Sequence, residues 1–148
     1  MMRCCLRLVV LMLLPFTISA QTWFGTGGTI PDDGTSAMFP VNITNLLPST
    51  IDTLHGIARV GLNITHPYDA DLLIALVAPD GTSVILSNGN GWDGDNYTGT
   101  QFTDTASISI TQGFSPFTGF YRPQEMLGWM NNGRDGNGIW YLYIQDMY

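Results

Sequence analysis

The residues best able to do chemistry in this sequence are aspartates set among glycines, together with two histidines and a serine. Asp93 and Asp95 flank Gly94 in Asn90-Gly91-Trp92-Asp93-Gly94-Asp95-Asn96-Tyr97, and Asp104 closes Thr100-Gln101-Phe102-Thr103-Asp104. Upstream, Asp69 and Asp71 bracket Ala70 in His66-Pro67-Tyr68-Asp69-Ala70-Asp71-Leu72. Calcium takes roughly six to eight oxygens from carboxylates, amides and carbonyls, and glycine lets a loop fold closely around it. Asp93-Gly94-Asp95 begins as an EF-hand loop does, but Tyr97 breaks the third ligand position and no bounding helices are apparent. The same composition also serves a solvated turn. Asp71 enters an apolar strand, where a carboxylate buried without partners is costly, so it needs backbone donors, an arginine or a cation.

Nucleophilic catalysis is poorly supported. Gly34-Thr35-Ser36-Ala37-Met38-Phe39-Pro40 is similar to the serine-bearing run of subtilisin-like proteases, with Met38 where that run has a small residue. That fold supplies its aspartate and histidine from far upstream of the serine, and little chain precedes Ser36. His55 and His66 are the only candidate bases, and neither stands in a recognisable partner motif for an oriented triad. Ser36 is therefore expected to be a loop residue. With two histidines and both cysteines near the start, a zinc site of usual composition is hard to build. Trp92, Tyr97 and Trp129 lie near polar loops and could stack on sugars, which keeps a surface-adhesion or carbohydrate-binding role as the alternative; the same rings can simply cap a core. The Asn-x-Thr triplets at Asn42, Asn63 and Asn96 are glycosylation sequons only in a eukaryotic host.

Strands must position these groups. Val60, Leu62 and Ile64 alternate with polar or small residues, as do Ala106, Ile108 and Ile110, and Trp140, Leu142 and Ile144. Leu72 to Ala78 is continuously apolar, as in a strand covered on both faces. Val84 to Leu86 predicts a short partner strand, joined to it through the hairpin signal Pro79-Asp80-Gly81-Thr82. Phe39, Val41 and Ile43 mark another strand. Asn88 to Thr100 and Asn131 to Gly138 read as loops, and Gln124 to Met130 is the only helical candidate. Short strands punctuated by Gly and Pro predict an all-β sandwich or jelly roll in one domain.

The first twenty residues read as a secretory signal peptide. Arg3 and Arg7 precede the apolar Leu8–Phe16, and Ile18-Ser19-Ala20 offers a small-residue cleavage site. Cleavage after Ala20 leaves residues 21–148, with Cys4 and Cys5 removed and no membrane span. That part carries twelve acidic residues against Arg59, Arg122 and Arg134, a formal charge of −9. Such a surface repels phosphate backbones, so nucleic acid is not an expected partner.

Five pieces in register carry a family resemblance: His66-x-Tyr68-x-Ala70-Asp71-Leu72; Ile74-x-Leu76 with Pro79-x-Gly81-Thr82; Thr100-x-Phe102-x-Asp104-x-Ala106; Gly119-Phe120-Tyr121-Arg122-Pro123; and Gly138-Ile139-Trp140-x-Leu142-x-Ile144-x-Asp146. Over about Thr29 to Asp146 the chain resembles the P domain (Homo B domain) of proprotein-convertase and other subtilisin-like serine proteases, especially the P domains of exported bacterial proteins. Pro67 and Ala70 depart from the usual hydroxyl residue and glycine. Family members continue past the aspartate matching Asp146 with another turn and a final strand, so a fragment lacking its last strand is expected. The resemblance implies a jelly-roll-like β-sandwich, secreted or at the cell surface. It also implies a non-catalytic accessory role in serine-type proteolysis, beside a protease or other exported domain of the same or a neighbouring chain. It further implies calcium, with Asp71, Asp93, Asp95 and Asp104 as the ligands by position and Asp69 as a weaker candidate.

Overall fold

The computed structural model describes residues 20–148; residues 1–19, which hold nearly all of the expected signal peptide, lie outside the described residues. The described chain is all-β. Its strands are β1 (Ser36–Ile43), β2 (Thr50–Ile51), β3 (Val60–Ile64), β4 (Leu72–Val77), β5 (Ser83–Asn88), β6 (Tyr97–Phe102), β7 (Phe117–Tyr121), β8 (Arg134–Asp135) and β9 (Gly138–Asp146). Among the described residues no helix is long and apolar enough to cross a membrane.

The larger sheet has the order β1-β9-β4-β5, antiparallel throughout. Its centre is β9, whose Leu142 lies opposite Phe39 of β1 and Leu76 of β4, while Ile144 lies opposite Ile74. This register puts Trp140, Leu142 and Ile144 on the core side, as their period-two spacing requires. The β4–β5 hairpin turns at Gly81, whose φ of +86° suits a residue without a Cβ. Both sheet edges are blunted. Pro40 sits within edge strand β1, and β5 is covered by the segment Gln124–Glu125, which pairs with Ile85 and Leu86 through main-chain bonds of 2.9 and 3.1 Å.

The second sheet, β3-β6-β7, pairs β6 antiparallel with β3 and parallel with β7. A parallel pair needs a crossover, here residues 103–116 with a 3-10 turn at Ile110–Gln112. A two-stranded ribbon of β2 and β8 completes the set. The core draws on both larger sheets: Leu62, Ile64, Tyr97, Phe102 and Phe117 from one, Leu72, Ile74, Leu76, Val84, Leu86, Trp140 and Ile144 from the other. The sandwich predicted from the sequence is thus observed.

Some local expectations are corrected. Ala106–Ile110 is not a strand; Ile110 is fully buried but stands in the 3-10 turn, Ile108 is exposed, and the segment contributes one isolated bridge, Ser109 to Arg122. Its alternation came from one core plug beside a capped turn, where Ser109 Oγ accepts from the Thr111 N–H. The stretch expected as a loop from Asn88 to Thr100 is one only from Gly89 to Asn96, since Asn88 ends β5 and Tyr97 opens β6; the loop expected over Asn131 to Gly138 holds β8, and Gly138 opens β9.

Candidate functional site

The loops joining β3 to β4, β5 to β6, and the end of the crossover to β7 meet at one end of the sandwich. Asp69, Ala70 and Asp71 form a single 3-10 turn between β3 and β4. The Asp69 N–H donates to the Gly94 carbonyl (2.8 Å), and the Gly94 N–H donates to the Gly91 carbonyl (3.1 Å). These bonds fold the aspartate-rich loop over Asp69. Gly91 takes φ +105° there, and Trp92 and Asn96 are also in the left-handed region.

Asp69 is fully buried. Its Oδ2 accepts a hydrogen bond from Ser115 Oγ at 2.7 Å. Its Oδ1 is the one buried side-chain oxygen without a partner among the described residues. Burial raises its pKa, and the negative charge of Asp95 adds to this; Ser115, the Asn96 main chain and His66 act in the opposite direction. Buried polar groups are rarely left unmatched, so an orphan carboxylate oxygen calls for a physical account.

The calcium candidates read from the sequence are placed as follows. Asp71 is half-buried and lines a separate cavity of about 200 Å³ with Asp32, His66 and Asp146. Asp93 and Asp95 are exposed on the loop that covers Asp69. Asp104 is engaged elsewhere: its Oδ1 accepts from the Leu127 N–H and its Oδ2 from the Gly128 N–H, both at 2.8 Å, capping the 3-10 turn Leu127–Met130. Among the described residues no three His, Cys, Asp or Glu side chains converge on a point that could hold a metal. A site here would have to draw on main-chain and hydroxyl oxygens as well as the orphan oxygen of Asp69. It was Asp71 that the sequence pointed to as the costly carboxylate; the turn inserts Asp69 instead, and no spacing signal separates the two. Ser115 carries no motif.

The capping role of Asp104 has a direct consequence. Asp104→Ala is expected to cost about 2 kcal/mol, because two main-chain N–H groups lose a charged acceptor. Urea unfolding would register this as a lower midpoint with an unchanged slope.

Neither histidine is poised as a base for Ser36. His66 Nε2 lies 3.0 Å from Asp146 Oδ2, and its Nδ1 lies 2.9 Å from the Tyr68 carbonyl, so both ring nitrogens are engaged. This contact ties the β3–β4 connection to the end of β9. His55 lies against Asp52. Ser36 opens β1 opposite Gln145, so it is a strand residue rather than the expected loop residue. Of the three aromatic residues near polar loops, Tyr97 is buried in the core with its hydroxyl 3.0 Å from Ser87 Oγ, whereas Trp92 and Trp129 are exposed.

Comparison with known proteins supports a single assignment. The sequence model of the family described as "Proprotein convertase P-domain" matches residues 57–148. The chain is 30% identical over 122 residues to the "Transglutaminase-activating metalloprotease" of Streptomyces mobaraensis, covering 80% of this chain and 12% of that protein. It is 34% identical over 85 residues to "Leupeptin-inactivating enzyme 1" of Streptomyces exfoliatus, covering 57% of this chain and 18% of that protein. The chain thus spans less than a fifth of each of these relatives. No solved structure matches it significantly. The family is one of protease-associated domains that are not themselves catalytic. By sequence match, register and fold, this chain belongs to the proprotein convertase P-domain family.

Proposed function

We propose that this domain is a non-catalytic module that stabilises an exported peptidase, covalently as part of one polypeptide or as a separate chain. The observation that carries the reading is the family match over residues 57–148, together with relatives that extend far beyond the matched segment. The engaged ring nitrogens of His66 support a structural role for this half-buried histidine. The resemblance to convertase domains points to a serine-type partner; one relative is named a metalloprotease. The module is therefore assigned to exported peptidases of either chemistry, and secretion or display at the cell surface follows.

The test has two parts. Purified chain incubated with casein and with a mixed peptide library is expected to release no product. The peptidase encoded with it, produced with and without this domain, is expected to lose at least half of its active lifetime at its working temperature when the domain is absent. A lifetime unchanged by the deletion overturns the reading, as does hydrolysis by the chain that a single Ser→Ala substitution abolishes.

A further inference from the structure

A groove of about 650 Å³ opens where the end of β1 and the loop after it face the β8–β9 turn. Small-molecule sites commonly span about 300–1,000 Å³. One wall runs from Asn42 to Leu47 with Ser49, and the other is Asp135, Asn137 and Gly138. The first wall lies ahead of residue 57, where the family match begins, so the groove is not supplied by family membership alone.

The walls are held in place before any ligand arrives. The Leu46 N–H donates to Asn137 Oδ1 at 2.9 Å, and the Gly136 N–H donates to the Ser49 carbonyl at 2.7 Å. Asn137 is itself fixed, because its main-chain N–H and its Nδ2 both donate to Asp135 Oδ1 at 2.9 Å. Gly136 is buried at this junction; a Cβ there would lie 2.6 Å from Leu46 Cδ2 and 2.8 Å from Ile51 Cγ2. From outside, the Gln21 side chain accepts from the Leu47 N–H and donates to the Asn45 carbonyl. The Trp23 indole donates to the Thr44 carbonyl at 3.2 Å, which sets a half-buried ring beside the groove. Walls fixed in this way lose little freedom on binding.

The polar groups so positioned are unspent. Among the described residues no hydrogen bond engages the side chains of Asn42, Thr44, Asn45 or Ser49, and both bonds to Asp135 fall on Oδ1, leaving Oδ2 open. Amides and hydroxyls each donate and accept, as the hydroxyl groups of a sugar do. Ile43, Leu46 and Leu47 add apolar surface for the C–H face of a sugar ring. Asp135 is the one charged residue of the lining, and its sign disfavours phosphate, sulfate and uronate.

We propose that this groove binds neutral sugar residues of a glycan, with Asn42, Asn45, Ser49 and Asp135 reading hydroxyl groups and Trp23 flanking a ring. The site uses neither Trp92 nor Trp129, the exposed rings of other loops. The inference does not depend on the peptidase-stabilising role, and either can stand without the other.

The test is calorimetric titration of the purified chain with cellohexaose, maltohexaose and hexa-N-acetylchitohexaose, each to about 10 mM. A site with a dissociation constant of about 1 mM is about nine-tenths filled there. Binding of one of these neutral probes at one site per chain is expected, and hexagalacturonate, which is anionic, is expected not to bind. Asn42→Ala is expected to weaken binding about 10-fold, as the loss of one hydrogen-bonding side chain does. Trp23→Ala should weaken it by a similar factor, whereas Trp92→Ala and Trp129→Ala should keep wild-type affinity. Absence of heat with all three neutral probes overturns the proposal, as does hexagalacturonate binding as tightly as they do. Wild-type affinity in Asn42→Ala overturns it as well, and decides the matter should Trp23→Ala fail to fold.

Discussion

Gly91→Ala is expected to destabilise the domain by about 3 kcal/mol, the sum of two unfavourable effects at one residue. The first is conformational. Gly91 sits at φ +105°, where an L side chain is strained by about 1–2 kcal/mol. The second is steric. The new methyl would meet Ser115 Oγ at 2.5 Å, Asp69 Cβ at 2.8 Å and Phe117 Cε2 at 2.9 Å, and overpacking of this kind costs about 1–3 kcal/mol. None of these neighbours moves freely, since Asp69 and Phe117 are fully buried and Ser115 is bonded to Asp69. For a domain of this size the melting temperature should fall by about 10 °C. Gly99→Ala is the matched control. Gly99 also has a positive φ, +60°, but nothing lies within 4 Å of its added Cβ, so only about 1 kcal/mol is expected. Equal losses in the two variants, read from urea midpoints, would show that the loop does not grip Asp69 as tightly as described.

Phe117→Ala should have a larger effect still, about 4 kcal/mol. Phe117 is fully buried at the start of β7. Its ring stacks on Tyr97 with centroids 4.8 Å apart and meets Tyr121 edge-on at 5.5 Å. Truncation would open a cavity between the parallel strands β6 and β7 and remove both aromatic contacts. It would also loosen the wall behind Gly91. Phe120, three residues along the same strand, is largely exposed and touches only the Arg59 guanidinium at 6.0 Å among ring contacts. Phe120→Ala should therefore cost under about 1 kcal/mol. The contrast between the two, measured by chemical denaturation, would confirm which face of β7 carries the second sheet. Similar losses would contradict the core assignment.

The regions most legible in the sequence are those where burial is periodic and the polar partners are local. Strand β9 is the clearest case: Trp140, Leu142 and Ile144 repeat every second residue, and that pattern alone selects the face and the register class. The Pro79–Thr82 turn is similar, because its chemistry lies within four residues. Strand β6 was hidden for the opposite reason. Tyr97-Thr98-Gly99-Thr100-Gln101-Phe102 looks polar, and the register shift between Thr98 and Thr100 breaks the period of two. Thr100 is nonetheless buried, because its hydroxyl donates to the Phe117 carbonyl at 2.6 Å from seventeen residues away. A bond of that separation leaves no local trace. Strand β7 shares the problem, since its pairing with β6 is parallel and depends on the crossover.

The sequence by itself determined the all-β class, the acidic character of the chain, the family pattern from Thr29 to Asp146 and the presence of carboxylates in glycine-rich loops. These depend on composition, on period-two burial and on turn preferences, all of which act over a few residues. Only the tertiary structure decided that Asp69 rather than Asp71 is buried, that Asp104 caps a distant turn, and that Ser115 reaches across to Asp69. The physical reason is that burial and hydrogen-bond satisfaction are set by groups far apart in the chain. Asp69 meets Ser115 across forty-six positions and Asp104 meets Leu127 across twenty-three. Whether an aspartate becomes a cap, a solvated residue or a buried acceptor depends on which loop the packed sheets bring against it.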